Sequence, residues 1–498
     1  MYALFYRNVT DPEIVYDIDD NKIIYGNARK IKVVSEKKCI IDGLPYSLAI
    51  TPRWQTLVGR ANGRDDVASN YRIFCADYAS SDFQSVRDAP WLETNDDAEL
   101  AIHNQTDFFL VLEKSEFCDH FSGTQYYNTS PSFDLAVYEK RAKFFTDPFG
   151  VLVAFGATTF APNLMQTRAG KFISDPLTLA HWTTLQVGSL LCSHALGKVF
   201  YGLPDSDHFK RFSGVGLLLA PLNYGHWHAQ NMPALFALKQ LLERGLFSEE
   251  EVTVVTTRPE AANIDLLDHC LRRLQLKPKF FDPAKGDIGA FSFDCTLLPS
   301  SSSCGVFHWS RFLARSLSLL REGVEGQDRV LFISRTDAGN SRGLSNEEEI
   351  LAALAAAGIP VERVAAAELS YAEQRARFAQ ARLVIGSHGS GLTNALYGGP
   401  QCAVLELISD AVDGNRGWYH NLYRLLGQRY AAINCPSPGP AWSRAAFRAE
   451  PGLVVTAAKE LLSSGTVSEH QRARHGAKAD TAMGHITITA VGGQAKWG

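Results

Sequence analysis

The sequence lacks several features that define large classes of protein. Its nine cysteines are odd in number and never form a C-x-x-C pair, so neither a zinc site nor a disulfide framework is predicted and a reducing compartment is expected. No run of about 18 apolar residues occurs, and the N-terminus MYALFYRNVTDPEIV resembles no signal peptide. We therefore expect a cytoplasmic protein without a transmembrane segment, in peripheral contact with a membrane at most.

The chain also lacks a basic excess and the common nucleotide fingerprints. The 49 Lys and Arg face 53 Asp and Glu, so a nucleic-acid partner is not expected. Neither G-x-G-x-x-G nor a P-loop lysine is present, which disfavours a nicotinamide-dependent oxidoreductase. Acidic triplets occur at 17–20 and 205–207, but two carboxylates do not make a cation site. We predict no metal and no cofactor.

The patterns that are present indicate an α/β protein of several domains. Residues 1–165 carry short alternating segments and form a β-rich or mixed N-terminal region of unassigned role. Residues 166–325 and 326–464 each alternate short apolar runs with amphipathic helical segments, which predicts two Rossmann-like lobes facing a cleft. The polar tail, 465–498, is predicted to be disordered.

A glycine-rich stretch in the second lobe is the strongest local signal. It joins buried strands at 383–387 and 403–408 through residues 386–391, G-S-H-G-S-G, here named the glycine turn, and a helix that opens near Leu392. Ligands of parallel sheets bind beyond the carboxyl ends of the strands, where helix N-termini favour anions. A phosphate-bearing ligand is predicted; the alternative is a tight turn capped by His388.

Local signals also predict where the neighbouring elements begin and end. A strand is expected at 329–334. Two helices are expected to begin with capping boxes, one at Ser345 with Glu348 and one at Ser370 with Glu373. In the first lobe, a helix is expected from Met232 to the stop at Gly245.

Three further groups could carry chemistry in the cleft. Arg335 and Arg342 follow a strand end and could grip phosphate oxygens, or be solvated loop charges. His226 or His228 could remove a proton, or either could be a hydrogen-bonded histidine with Trp227 in the core. Glu406, within an apolar run, could bind a ribose or pair with a buried arginine.

These residues also carry a family resemblance. The run VLFISR, then R-x-x-x-N-E at 342–347, then LSYAEQRARFAQARLVIGSHGSGLTN and VLEL, resembles the glycosyltransferase family 61 domain. The His226-Trp227 segment is similar to the first lobe of that family. The resemblance covers roughly 215–435, and it is densest in 330–408.

The resemblance implies a GT-B fold and inverting transfer from a nucleotide sugar, commonly a uridine diphosphate sugar, without an essential metal. The residues it implies for donor binding are Arg335, Arg342, Ser387, His388, Gly389, Ser390, Gly391, Thr393, Asn394 and Glu406. Asn223, Trp227 and Gln230 are expected on the acceptor side. Gln230 stands where the family pattern carries an acidic residue and cannot act as a base, so His226, or a carboxylate elsewhere, is the candidate catalytic base.

We therefore expect an inverting, metal-independent hexosyl- or pentosyltransferase of bacterial-type surface polysaccharide biosynthesis. Its partners would be a nucleotide-sugar donor, which is a substrate rather than a cofactor, and a carbohydrate acceptor. The alternative is a non-catalytic carbohydrate- or nucleotide-binding subunit of a polysaccharide assembly complex.

Overall fold

Short apolar runs form the parallel strands of two sheets in the computed structural model of the chain. The structure describes residues 89–93, 96–113, 149–160, 164–173, 209–219, 224–256, 261–282, 288, 290–299, 311–321, 328–335, 343–409, 418–436 and 446–463. Within these ranges some side chains, His226 among them, are not described. Further strands, at 2–59, 72–84, 125–128, 192–203 and 487–490, are described by backbone pairing alone.

The second sheet, which carries the glycine turn, is parallel throughout. Numbered in chain order, the five consecutive strands between residues 329 and 435 lie in the spatial order 2-1-3-4-5, one of the common doubly wound orders, whose ligand site is where strands 1 and 3 diverge. Here those two strands are Arg329–Ser334 and Ala381–Ser387. In spatial order the seven strands are Val361–Ala365, Arg329–Ser334, Ala381–Ser387, Ala403–Ser409, Arg429–Cys435, Gln125–Asn128 and Thr487–Ala490.

The first sheet combines a parallel half with an antiparallel half. Its parallel strands lie in the order Lys279–Phe281, Val252–Val255, Phe209–Leu218 and Ala290–Pro299. The largely antiparallel half continues from the last of these, and its strands are Phe83–Gln84, Trp91–Glu93, Phe108–Glu113, Phe149–Phe155, Thr158–Phe160, Leu164–Gln166 and Phe172–Ile173. Its two outermost pairs, Trp91–Glu93 with Phe108–Glu113 and Phe83–Gln84 with Phe172–Ile173, are parallel. This one sheet therefore takes strands from both sides of the predicted 165/166 boundary, and the domain division stays a prediction.

The described strands form two further sheets. One has seven strands, Tyr2–Asn8, Asp11–Asp17, Lys22–Tyr25, Ile31–Ser35, Lys38–Ile41, Leu44–Ile50 and Trp54–Gly59. The other has three strands, Arg72–Asp77, Cys192–Ala195 and Lys198–Leu203. Asp17 ends strand Asp11–Asp17. The rest of the acidic triplet at 17–20, the triplet at 205–207 and the predicted disordered tail apart from strand Thr487–Ala490 lie outside the described residues.

Helices connect and cover the strands. The α-helices are Asp96–His103, Tyr224–Glu243, Ala261–Leu274, Arg311–Ser318, Glu347–Ala356, Tyr371–Ala379, Trp418–Leu425 and Pro451–Ser463, and the 3-10 helices are Glu249–Glu251, Ala366–Glu368 and Ser390–Gly398. None of the helices in the described part of the chain has the length and hydropathy needed to cross a bilayer. The predicted mixed α/β architecture with parallel sheets is confirmed, whereas the GT-B arrangement of two lobes around a cleft stays a prediction.

The capping predictions had different outcomes. Ser370 caps the helix Tyr371–Ala379, and Glu373 returns the bond, as predicted. The Ser345 prediction is wrong, because that hydroxyl donates to Phe447 O instead and the helix N-cap is Asn346. Ser345 is held by a parallel bridge between Leu344 and Phe447, which is a long-range contact that local sequence does not encode.

The helix that was predicted to follow His226 begins eight residues earlier than expected. It starts at Tyr224 and ends at Glu243, with Gly245 in the left-handed conformation after it. Pro233 favoured a start at Met232, since proline suits the first turn of a helix, but it lies inside this one. His226, Trp227 and His228 therefore belong to the helix and not to a turn that leads into it.

Candidate active site

The candidate site lies where two strands of the second sheet diverge at their carboxyl ends. Arg335 follows strand Arg329–Ser334, and the glycine turn follows strand Ala381–Ser387. Arg335 Nη1 donates to His388 O at 3.2 Å. The structure therefore brings together two of the residue groups predicted to bind the donor, at the edge where doubly wound sheets bind their ligands.

Gly389 makes room for the Arg335 guanidinium. A Cβ atom built at Gly389 would lie 1.7 Å from Arg335 Nη1, so any side chain here would push the guanidinium away. The 3-10 helix Ser390–Gly398 begins immediately afterwards. Because the first amides of a helix have no intrahelical acceptor, the N–H groups of Ser390 and Gly391 lie beside the arginine as donors for an anion.

Side chains from elsewhere bind the carbonyl groups of this short helix. They come from helix Trp418–Leu425, from the segment that follows it and from the end of helix Arg311–Ser318. Tyr419 donates to Gly389 O, Tyr423 to Leu392 O, Gln428 to Ala395 O and Arg321 to Leu396 O. Burial lowers the pKa of Arg321 to about 10, so its guanidinium stays charged at neutral pH. These four bonds fix the helix and thereby the orientation of its N-terminal amides.

His388 of the glycine turn and Glu406 of the neighbouring strand Ala403–Ser409 form a buried pair. His388 Nδ1 lies 2.5 Å from Glu406 Oε1, and Tyr430 donates its hydroxyl proton to Glu406 Oε2. Glu406 is 1% exposed. Among the described residues, the partners of Glu406 are thus a histidine and a tyrosine and not the arginine of the alternative interpretation, and its role as a ribose ligand stays a prediction.

Thr393 and Asn394, predicted to contact the donor, are buried with protein partners. Asn394 Oδ1 accepts from Tyr224 Oη at 2.7 Å, and Asn394 Nδ2 donates to Gln374 Oε1 at 2.7 Å. Thr393 Oγ1 lies 3.4 Å from Tyr419 Oη. These side chains join the two helices around the turn, so the structure gives them a packing role; the predicted donor contact stays untested.

The first-lobe helix Tyr224–Glu243 packs directly on the glycine turn. A Cβ atom at Gly225 would lie 3.2 Å from Ser390 Cα and 3.0 Å from Thr393 Oγ1. The N-terminus of this 20-residue helix therefore meets the N-terminus of helix Ser390–Gly398. Two positive helix ends at one place add to the charge of Arg335 and favour an anionic ligand.

The remaining predicted site residues have different outcomes. Trp227 is 2% exposed and belongs to the hydrophobic core, as the packing interpretation predicted, and Gln230 is 3% exposed. Ser387 is buried at the end of its strand. Arg342, Asn223 and the side chain of His226 lie outside the described residues, so their predicted roles stay predictions.

His228 is a buried structural histidine. Nδ1 lies 2.8 Å from Tyr224 O, and Nε2 lies 2.7 Å from Tyr397 Oη. Tyr397 Oη is also 2.9 Å from Tyr371 Oη. Burial lowers the pKa of His228 to about 4, so its ring is neutral at physiological pH, and both of its nitrogens have protein partners. His228 is therefore unsuited to removing a proton from a substrate.

The low pKa of His228 predicts that this region loses stability in acid. The unfolded chain binds the proton near pH 6.5 and the folded chain only near pH 4, so stability is complete above 6.5 and falls as the pH drops towards 4. At pH 5 the loss from this histidine should be about 2 kcal/mol. Urea unfolding at pH 7.5 and 5 should show a smaller acid-induced loss in His228→Gln than in the wild type. Equal losses in the two proteins would contradict the assignment.

The side chains that donate to the carbonyl groups of Gly389 and of helix Ser390–Gly398 were not predicted from the sequence. Tyr419 and Tyr423 are four residues apart on helix Trp418–Leu425, so they share one face. That spacing was the available signal, but nothing local shows which carbonyl groups they reach. Among the described residues, no group of three or more His, Cys, Asp or Glu side chains could hold a metal ion.

Comparison with known proteins identifies the family of this region. Residues 224–405 match the sequence model of the family Glycosyltransferase 61. This stretch contains the glycine turn, Arg335 and the start of the first-lobe helix. The family predicted from the sequence motifs is therefore confirmed by the match of residues 224–405.

A curated relative also matches part of the chain. It is the EGF domain-specific O-linked N-acetylglucosamine transferase of Drosophila melanogaster, which is 30% identical over 140 residues, or 28% of this chain and 26% of the relative. The chain thus matches about a quarter of the length of that relative. Among solved structures, the metal-soaked Flv1 flavodiiron core of Synechocystis sp. PCC6803 aligns with 53% of this chain and 81% of its own at 12% identity. Its TM-score of 0.20 is too low to support any argument.

Proposed function

We propose that this protein is an inverting glycosyltransferase that moves a sugar from a uridine diphosphate sugar to a carbohydrate hydroxyl, without a bound metal, in bacterial-type surface polysaccharide assembly. One observation carries the proposal. Within the family-matched region, Arg335, His388 and the first amides of helix Ser390–Gly398 lie together at the strand divergence of the second sheet. The two parallel sheets would serve as the acceptor and donor lobes of a GT-B arrangement.

The donor side would act on the departing diphosphate. When the bond between the anomeric carbon and the phosphate oxygen breaks, its electron pair stays on that oxygen. Arg335 can bind two phosphate oxygens through its planar guanidinium, and the amides of Ser390 and Gly391 can donate to a third. Because the four side chains behind the helix already hold it in place, these donors need little reorganisation as charge develops.

The acceptor side would supply the base. Gly225 lies against Ser390, so the backbone of His226, the next residue in the helix, is close to the glycine turn. His226 would take the proton of the acceptor hydroxyl as its oxygen attacks the anomeric carbon from the face opposite the diphosphate, which inverts the configuration. His228, two residues on, is already bound by protein groups and cannot replace it.

The proposal is tested by sugar release from a panel of nucleotide sugars, with hydrolysis as the minimal activity. The panel should include UDP-N-acetylglucosamine, because the curated relative is named for N-acetylglucosamine transfer. Turnover of one uridine diphosphate sugar, undiminished by EDTA and with inverted anomeric configuration by proton NMR, is expected. Binding without turnover would favour the non-catalytic subunit, and loss of turnover in EDTA would contradict metal independence.

Replacing the proposed base should separate chemistry from binding. His226→Ala should lower turnover at least about 100-fold, within the usual range for a general base, and leave the dissociation constant of UDP within about twofold of the wild-type value. Turnover is measured with the donor identified in the panel, and binding by calorimetry. If His226→Ala turns over at the wild-type rate, the base is another residue.

A protein hydroxyl is a second candidate acceptor. The name of the Drosophila melanogaster relative specifies an EGF domain as its substrate, and that relative matches this chain over 140 residues. Offering a folded EGF-like domain and a set of oligosaccharides to the same enzyme and donor discriminates between the two acceptor classes. Mass increase of the EGF-like domain alone would replace the carbohydrate acceptor in the proposal.

A further inference from the structure

A buried chain of three side chains leads from the second sheet to the glycine turn. Tyr430 donates to Glu406 Oε2, and Glu406 Oε1 lies 2.5 Å from His388 Nδ1. A carboxylate accepts hydrogen bonds and cannot donate them, so the proton of this contact belongs to Nδ1. With both oxygens engaged in the protein interior, Glu406 acts on the site through His388.

The other ring nitrogen of His388 faces away from this chain. Nε2 lies across the imidazole ring from Nδ1 and therefore points away from Glu406. No protein group among the described residues forms a hydrogen bond to Nε2, and the His388 side chain keeps 7% of its surface exposed. The same residue accepts a hydrogen bond from the Arg335 guanidinium through its carbonyl oxygen, so His388 lies beside the candidate anion site.

We propose, on the basis of the proposed function, that Glu406 and Tyr430 are positioning residues that orient His388 so that, once the diphosphate is bound, its imidazolium donates from Nε2 to the departing phosphate oxygen. An imidazolium donates from both nitrogens at once, whereas a neutral ring donates from one. As the bond from the anomeric carbon to the phosphate oxygen breaks, the electron pair stays on the oxygen and the bond from Nε2 strengthens. The proton stays on Nε2, and the acceptor proton goes to the separate base.

The charged surroundings of His388 make this arrangement depend on the ligand. Two charged groups among the described residues face it from neighbouring strands: Arg335, through the carbonyl oxygen, and Glu406, through Nδ1. Tyr419 contacts the ring edge to face at 5.3 Å, and Tyr430 reaches it through Glu406. A bound diphosphate adds negative charge on the Nε2 side, so binding should draw a proton onto the ring.

Proton uptake on ligand binding tests this directly. Calorimetry of the full chain with UDP, in buffers of different ionisation enthalpy between pH 6 and 9, gives the number of protons bound with the ligand. The wild type should take up a proton within this range, and His388→Gln should not. Glu406→Gln should reduce the proton uptake and weaken UDP binding at pH 8 about tenfold. Tyr430→Phe keeps the carboxylate and removes one donor to it, so it should change the proton uptake by less than Glu406→Gln does.

Glu362→Gln is the matched control, because Glu362 lies in the same sheet and pairs with Arg329 and Arg377. Its proton uptake should equal that of the wild type. Two results would overturn this inference while leaving the proposed function intact. In the first, UDP binds with the same proton uptake in the wild type and in His388→Gln. In the second, the proton uptake is the same in the wild type, Glu406→Gln and Tyr430→Phe. Absence of nucleotide binding by the wild type overturns the proposed function, and this inference with it.

Discussion

Replacing Arg335 with alanine should weaken UDP binding by about 10- to 100-fold, since a hydrogen bond to a charged group contributes about 1.5–3 kcal/mol. The guanidinium rests on Gly389 and donates to His388 O, beside the amides of Ser390 and Gly391. Its removal takes a charge from the site without leaving a cavity in the core. Calorimetry measures the affinity, and thermal unfolding of the ligand-free protein should change little.

Arg329→Ala provides the matched control for Arg335→Ala. Arg329 begins the strand that Arg335 follows, and it pairs with Glu362 at the opposite edge of the sheet. Both changes remove one arginine near an end of the same strand, so a general effect of charge would affect UDP binding equally in both. Equal affinity of the Arg335 variant and the wild type would remove Arg335 from the donor site.

Asn394→Ala should lower the free energy of unfolding by about 3–5 kcal/mol. Asn394 is fully buried, accepts from Tyr224 and donates to Gln374. Its removal leaves a buried hydroxyl and a buried amide oxygen without this partner, and each such group costs about 1–3 kcal/mol. Urea unfolding measures the loss. Intact stability with lost UDP binding would show instead that Asn394 is a donor ligand.

A double-mutant cycle tests whether Asn394 and Tyr224 act as one unit. Tyr224→Phe removes one of the two partners of Asn394, so the double variant should lose less stability than the sum of the single losses. Gln240→Ala is the control on the same helix, because Gln240 pairs with Glu243 at the surface. Strict additivity between Tyr224→Phe and Asn394→Ala would mean that the helix and the turn are not coupled through this bond.

Much of the second sheet could be predicted because its signals are local. Strand Arg329–Ser334 and the capping box at Ser370 were read from apolar runs and from residues three positions apart. The location of the glycine turn at a strand end followed from the same runs. The placement of Arg335 beside it depended on strand order, which the structure supplies and the family resemblance implied.

The rest depends on contacts between distant parts of the chain. The start of the first-lobe helix at Tyr224 was missed because its first turn carries no acidic residue and Pro233 favoured a later start. The partners of Glu406, His388 and Tyr430, are 18 and 24 residues away in sequence. An apolar run shows that a carboxylate is buried, but it does not show which side chain compensates it.

A crystal structure of the protein with UDP tests the central claim most directly. The diphosphate should lie between the Arg335 guanidinium and the amides of Ser390 and Gly391, with one oxygen within hydrogen-bonding distance of His388 Nε2. A diphosphate bound elsewhere, with these groups left in contact with solvent, would contradict the assignment of the glycine turn as the donor site.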